Sequence, residues 1–241
     1  MSSLKENTPP DNSGSGTGSA GPVVKVCGIT CLEDAVASIE LGANALGFNF
    51  YPRSPRFIEP ARAAEILRSL PGNVTAVAVV VVDSGDDPRL ASDSSAGVGD
   101  RKSQSTPGTD EDPPYCSLPG RVDWVQVHGA RSQADLPKID REILVATAPE
   151  HVSDFGDFRV IIDTSWGTGR LADWEALRGL GRDYILSGGL TPENVKEALE
   201  YLEPHGVDVC SGVEAVPGKK DLARLARFLE TVRAHYGLSE S

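Results

Sequence analysis

The sequence reads as a single α/β domain of the (β/α)8 (TIM) barrel class, and three observations point there. Eight short apolar runs lie near residues 23–27, 44–48, 74–82, 122–127, 142–146, 159–162, 183–187 and 206–210, separated by segments with helical spacing or turn chemistry. Polar side chains fall at alternate positions within several of these runs, as they would where one face of a strand lines a closed interior. The length, 241 residues, suits one barrel with a full core. A doubly wound open sheet is the alternative architecture.

The first 21 residues are polar and rich in Gly, Ser and Pro, without the apolar core of a signal peptide, and read as a disordered tail. The barrel is expected over 22–237. Its first strand is Val23-Val24-Lys25-Val26-Cys27. Leu32, Ala35, Val36 and Ile39 then keep the i, i+3, i+4, i+7 spacing of a one-sided helix. The longest apolar run, Ala76 to Val82, covers seven residues, far short of the ~20 that span a bilayer. Residues 84–120 are poor in large aliphatics and rich in Ser, Gly, Asp and Pro, so they read as a low-complexity insertion replacing much of the third helix. Later, Thr191-Pro192-Glu193-Asn194 sets a Thr cap before Pro and acidic charge, announcing a helix faced by Val195, Ala198, Leu199 and Leu202. Leu222, Leu225, Ala226 and Leu229 repeat the spacing in the last helix.

Charge and cysteine usage exclude several classes. The net charge is −12, from 35 acidic and 23 basic residues, which argues against a nucleic-acid or anionic-membrane partner. Cys27, Cys31, Cys116 and Cys210 form no dense disulfide framework, and the Cys-x3-Cys spacing of the first two is not a zinc signature. The chain therefore reads as cytoplasmic, with reduced thiols. His128 has no second His or Cys at ligand spacing, so no metal is expected.

Strand parity locates the candidate chemistry. Setting Val24 and Val26 outward leaves Lys25 and Cys27 inside; likewise Gln126 and His128, Asp163, and Asp208 and Cys210 point inward. An interior with these side chains is too polar to be only a packed core, because buried charge must be paired or used. A Lys25–Asp208 pair is expected where the first and eighth strands meet. Cys27 and Asp163 each close a strand at the same mouth, a thiol and a carboxyl suited to proton transfer. Ser187-Gly188-Gly189-Leu190 and Ser211-Gly212-Val213 follow the seventh and eighth strands, where barrels often bind phosphate. Arg53 and Arg56 sit in the loop after the second strand, where either could clamp a carboxylate.

Together these segments resemble the phosphoribosylanthranilate isomerase family of tryptophan biosynthesis. The likeness is carried by Lys25-Val26-Cys27-Gly28-Ile29-Thr30, Gly47 to Arg56, Val125-Gln126-Val127-His128-Gly129, Asp163-Thr164, Leu186 to Leu190, and Ser211-Gly212-Val213-Glu214. The resemblance implies an aldose–ketose isomerase performing an Amadori rearrangement of N-(5-phosphoribosyl)anthranilate to 1-(2-carboxyphenylamino)-1-deoxyribulose 5-phosphate. It implies no cofactor, a small-molecule substrate as partner, and a monomer or homodimer. By position it makes Cys27 the general base, Asp163 the general acid, Arg56 the holder of the anthranilate carboxylate, and Gly188, Gly189, Ser211 and Gly212 the phosphate loops. Gln126, His128, Lys25 and Asp208 are left as ligand-facing candidates. Three departures from the family pattern stand out: the insertion, the compact segment Ser165 to Arg170 after Asp163, and Cys210 where Ser or Thr is usual. Rival readings are another phosphosugar aldose–ketose isomerase barrel and a non-catalytic phosphosugar-binding barrel.

Overall fold

Eight parallel strands close on themselves in sequence order, each hydrogen-bonded to the next and the eighth to the first. The structure is a computed structural model that describes residues 21–82, 120–163, 174–178 and 180–238. All but Gly21 of the expected tail, all but Gly120 of the expected insertion (Cys116 within it) and the segment Ser165 to Arg170 lie outside the described residues. The strands are β1 (Val23–Cys27), β2 (Ala45–Asn49), β3 (Thr75–Val81), β4 (Trp124–His128), β5 (Glu142–Thr147), β6 (Arg159–Asp163), β7 (Ile185–Ser187) and β8 (Gly206–Val209). The seam pairs Val23 with Gly206 and Lys25 with Asp208. Glycine is required at 206, since a Cβ there would lie 2.4 Å from the Val23 carbonyl oxygen.

Two apolar layers hold the barrel together. Val24, Val26, Val125, Val127, Ile162, Val207 and Val209 pack outward against the helices, as parity requires. Inside, Val23, Ala45, Val77, Leu144, Ala146, Ile161 and Ile185 plug the amino-terminal end. Towards the carboxyl ends of the strands the interior turns polar: Lys25, Gln126, Ser187 and Asp208 are all buried there. The apolar plug supports a polar floor beneath the mouth.

The outer ring comprises α1 (Leu32–Glu40), α2 (Pro60–Arg68), α3 (Trp174–Leu177), α4 (Val195–Leu202) and α5 (Leu222–Tyr236). The crossovers after β4 and β5 are 3-10 turns, Gln133–Asp135 and Pro149–Phe155, where full helices were expected. In the first, the Asp135 carboxylate accepts from the Arg131 and Ser132 amides, and Pro137 follows at once. In the second, Gly156 adopts a positive φ of 52° and ends the turn.

Helix faces also depart from simple periodicity. Val36 is exposed in α1, whereas Asp34 and Ser38 are buried. The cause is tertiary: a hairpin of β9 (Glu214–Val216) and β10 (Lys219–Lys220) captures the Asp34 carboxylate through Lys219 Nζ at 2.7 Å and the Lys220 amide at 2.8 Å. Leu222 is exposed, and α5 buries Leu225, Phe228, Leu229 and Val232. In α4 the helix proper begins at Val195, after Thr191 has taken the Glu193 amide on its hydroxyl and the Val195 amide on its carbonyl. The expected Thr191 cap thus closes the turn before the regular helix, whose own N-cap, Asn194, makes no side-chain cap bond.

Candidate active site

The carboxyl ends of the strands surround a cavity of about 300 Å³, and the side chains that parity turned inward meet there. Its wall includes Cys27 from β1, Gln126 and His128 from β4, Asp163 from β6 and Asp208 from β8. Gly188 and Gly189 after β7, and Cys210, Ser211 and Gly212 after β8, close one side. Arg56 reaches in from the loop after β2, which is pinned by a bridge between Asn49 and Phe57 and by the Arg56 amide donating to Ser54 Oγ at 3.1 Å. Arg53 does not line the cavity; its guanidinium lies 5.9 Å from the Tyr51 ring centroid. The geometry thus favours Arg56 over Arg53 as the anion clamp.

Lys25 is a correction to the expected ligand-facing set. It is 0 % exposed and donates to Asp208 Oδ1 at 2.7 Å, one layer below Cys27, so the cavity does not reach it. Ser187 Oγ donates to the other Asp208 oxygen at 2.9 Å, which completes the acceptor's partners in a site closed to bulk water. Burial alone would lower the Lys25 pKa, yet the adjacent Asp208 carboxylate holds it above the ordinary range, so the ammonium stays charged.

That charge acts on Cys27. The thiol is held down at about 7 from its ordinary value near 9, chiefly by the neighbouring Cys210 thiol as a donor available to its sulfur. Burial opposes the shift, and the Lys25 and Lys220 ammonium groups assist it. Room for the sulfur comes from Gly47 on β2, the register partner of Cys27: a Cβ there would lie 2.8 Å from Cys27 Sγ and 3.1 Å from Lys25 Nζ. The sequence motif contains Gly47, but its need for glycine shows only when β1 and β2 are in register.

Arg56 is held by a residue that ends the motif Ser211-Gly212-Val213-Glu214 but to which the sequence assigned no role. Glu214, at the start of β9, accepts from Arg56 Nε at 3.0 and 3.1 Å and from Nη2 at 2.7 Å. Its Oε1 also accepts from the buried Lys220 Nζ at 3.1 Å, and that ammonium donates to the Cys27 carbonyl at 2.6 Å. Burial pushes the Glu214 carboxyl up, but Arg56 and Lys220 prevail and hold it below the usual range. The network ties β1, the loop after β2, and the β9–β10 hairpin into one rigid rim.

Gln126 and His128 touch tip to tip, with Nε2 atoms 2.7 Å apart. Burial lowers the His128 pKa, favouring the neutral imidazole, and Gln126 Oε1 is a buried acceptor without a protein donor.

The two glycine loops differ in how they earn their glycines. Gly188 and Gly189 have φ of 88° and 68°, left-handed values that favour glycine. At Gly212 the reason is proximity: a Cβ would lie 1.8 Å from the Leu190 carbonyl oxygen. Gly212→Ala must therefore drive the loops after β7 and β8 apart. Were they to hold a phosphate, steady-state kinetics should show KM raised about tenfold or more, the loss of one charge-assisted hydrogen bond. An unchanged KM would mean that the loops do not act together on the ligand.

Comparison with known proteins gives this geometry a family. The family described as N-(5'-phosphoribosyl)anthranilate (PRA) isomerase matches residues 119–231. The N-(5'-phosphoribosyl)anthranilate isomerase of Geobacter sp. strain M21 is 37 % identical over 220 residues, covering 86 % of this chain and 95 % of that one. Among solved structures, monomers generated from the dimeric phosphoribosylanthranilate isomerase of Thermotoga maritima superpose with a TM-score of 0.67 at 32 % identity, covering 88 % of this chain and 99 % of theirs. A phosphoribosylanthranilate isomerase in complex with reduced 1-(o-carboxyphenylamino)-1-deoxyribulose 5-phosphate gives 0.65 at 32 % identity, with the same coverage. Identity at this level over nearly the whole of each relative settles the matter: the chain belongs to the phosphoribosylanthranilate isomerase family.

Proposed function

We propose that the protein converts N-(5-phosphoribosyl)anthranilate into 1-(2-carboxyphenylamino)-1-deoxyribulose 5-phosphate, with Cys27 as general base and Asp163 as general acid. The observation that carries this reading is the convergence of Cys27, Asp163, Arg56 and both glycine loops on one cavity. Each end of such a substrate then has a counterpart. The phosphate sits between Gly188-Gly189 and Ser211-Gly212, and the anthranilate carboxylate meets Arg56. Glu214 occupies Nε and one edge of Nη2, which leaves the Nη1–Nη2 edge of the guanidinium for a second, bidentate carboxylate.

The chemistry divides into two proton transfers. Asp163 protonates the furanose ring oxygen, the C1–O bond breaks, and the anilino nitrogen supplies its lone pair to form a Schiff base. Cys27 as thiolate then takes the C2 proton; the C–H electrons form the enolamine double bond and neutralise the iminium. Tautomerisation of the enolamine gives the ketone. A thiolate fraction of about one half near pH 7 suits this step, since a base works best with its pKa near the operating pH.

Anthranilate fluorescence reports the reaction. Freshly prepared substrate should lose fluorescence on adding the protein, without added metal, and a stable signal at micromolar enzyme would refute the assignment. Asp163→Asn should lower kcat by about 10²–10⁴-fold, the usual contribution of a positioned acid, with KM little changed. Unchanged kcat with raised KM would reduce Asp163 to a binding group. As to partners, the reading needs only the small-molecule substrate; gel filtration decides between monomer and homodimer.

A further inference from the structure

Cys210 has a place in the site that the reaction scheme above does not use. The seam register pairs Lys25 with Asp208 and Val26 with Val209, so Cys27, at the end of β1, and Cys210, just past β8, come next in line at the seam. Both line the cavity, Cys27 buried and Cys210 half-buried. Cys210 Sγ also approaches Glu214 Oε1 at 3.8 Å. A thiol has one proton to donate, so the two acceptors compete for it.

Counting donors decides the competition. Glu214 Oε1 already accepts from Arg56 Nε at 3.0 Å, Lys220 Nζ at 3.1 Å and the Gly218 amide at 3.2 Å. A fourth donor at 3.8 Å adds little to a carboxylate oxygen so occupied. A thiolate at Cys27 has fewer donors and gains more. Once Cys27 is protonated it becomes a weak acceptor, and the Glu214 carboxylate is then the better partner.

We propose that Cys210 is a positioning residue for the base: its S–H points at the Cys27 sulfur while that sulfur is a thiolate, and turns to Glu214 when Cys27 takes the substrate proton. The proton of Cys210 never leaves; only its direction changes. This rests on Cys27 being the base, as argued above. The other titratable groups facing Cys27 come from several elements. Lys25 lies below on β1 and Asp208 beside it on β8; Lys220 reaches in from β10 and Arg56 from the loop after β2, while His128 and Asp163 line the same cavity on β4 and β6. Cys210 can change its hydrogen bond without moving a charge. The pKa of Cys210 is correspondingly raised, first by its bond to Cys27 and then by burial.

Two profiles test it, each on the full chain with Cys210→Ala and Cys210→Ser. One is kcat/KM against pH; the other is the rate of Cys27 alkylation by iodoacetamide against pH, read by peptide mass mapping so that other thiols do not contribute. Loss of the donor in Cys210→Ala should move both acid limbs up by about one pH unit, lowering kcat/KM about tenfold below the limb, with KM changed less than about twofold. Cys210→Ser keeps a donor with the same two acceptors and should restore both limbs to within about half a unit. Unshifted alkylation in Cys210→Ala, or equal shifts in the Ala and Ser variants, would overturn the proposal. Shifted alkylation with an unshifted kcat/KM profile would overturn the assignment of Cys27 as base, and the positioning role with it.

Discussion

Cys27→Ala is expected to cut kcat by about 10²–10⁴-fold while a reduced product analogue still binds within about threefold of the parent. The two halves of this result have separate causes. The glycine loops after β7 and β8 and Arg56, which the proposed reading assigns to the two ends of the ligand, lie away from β1, so removing one small buried side chain leaves them in place. The proton at C2, by contrast, cannot pass to the next inward side chain of β1: Lys25 is sealed beneath and paired to Asp208 at 2.7 Å. Isothermal titration with the analogue, beside steady-state turnover, separates binding from chemistry. Turnover within tenfold of the parent would remove Cys27 from the mechanism.

The pH dependence follows in sign. Cys27 has its pKa lowered to about 7, and the thiolate is the reactive form. As pH falls through about 7 the base is protonated, so kcat/KM should fall tenfold per unit below that point and level off above it. An unperturbed thiol would place the same limb near 9.

Much of this site was legible in the strands because their period is rigid. A residue two places from Cys27 must share its face, so Lys25 lay inside, and seam register in a closed barrel set Asp208 opposite it. Glu214 and Lys220 were not legible. They come from a short hairpin, β9–β10, whose residues follow no apolar period, and their burial depends on ion pairs that exist only after the chain has folded back across β1. The same hairpin explains why Val36 faces solvent: its lysines draw Asp34 inward and rotate the buried face of α1. Periodicity reads apolar burial, and a helix turned by a salt bridge escapes it. Gly47 shows the limit for motifs, since its hydrogen side chain is demanded by a thiol and an ammonium from the neighbouring strand. Cys210 was placed inward correctly, yet a departure from a family pattern carries no role until the sulfur's neighbours are known.

Lys25→Met should destabilise the protein by about 3–5 kcal/mol in urea melts, because it leaves the Asp208 carboxylate buried without its cation. Ser187 Oγ remains as a donor at 2.9 Å, but a neutral hydroxyl does not offset a buried charge. The double variant Lys25→Met with Asp208→Leu should recover most of that loss, since a buried ion pair is worth little more than apolar groups of similar volume. Stability and catalysis then part company. The double variant removes the ammonium that helps hold the Cys27 thiol down, together with the carboxylate that pushes it up, so the acid limb of kcat/KM should stay near the parent's. In the single variant only the carboxylate remains, and the limb should move up in pH. A double variant as unstable as the single would mean that the pair serves packing at this depth and not charge balance; a single variant with an unmoved limb would mean that Lys25 has no part in poising the base.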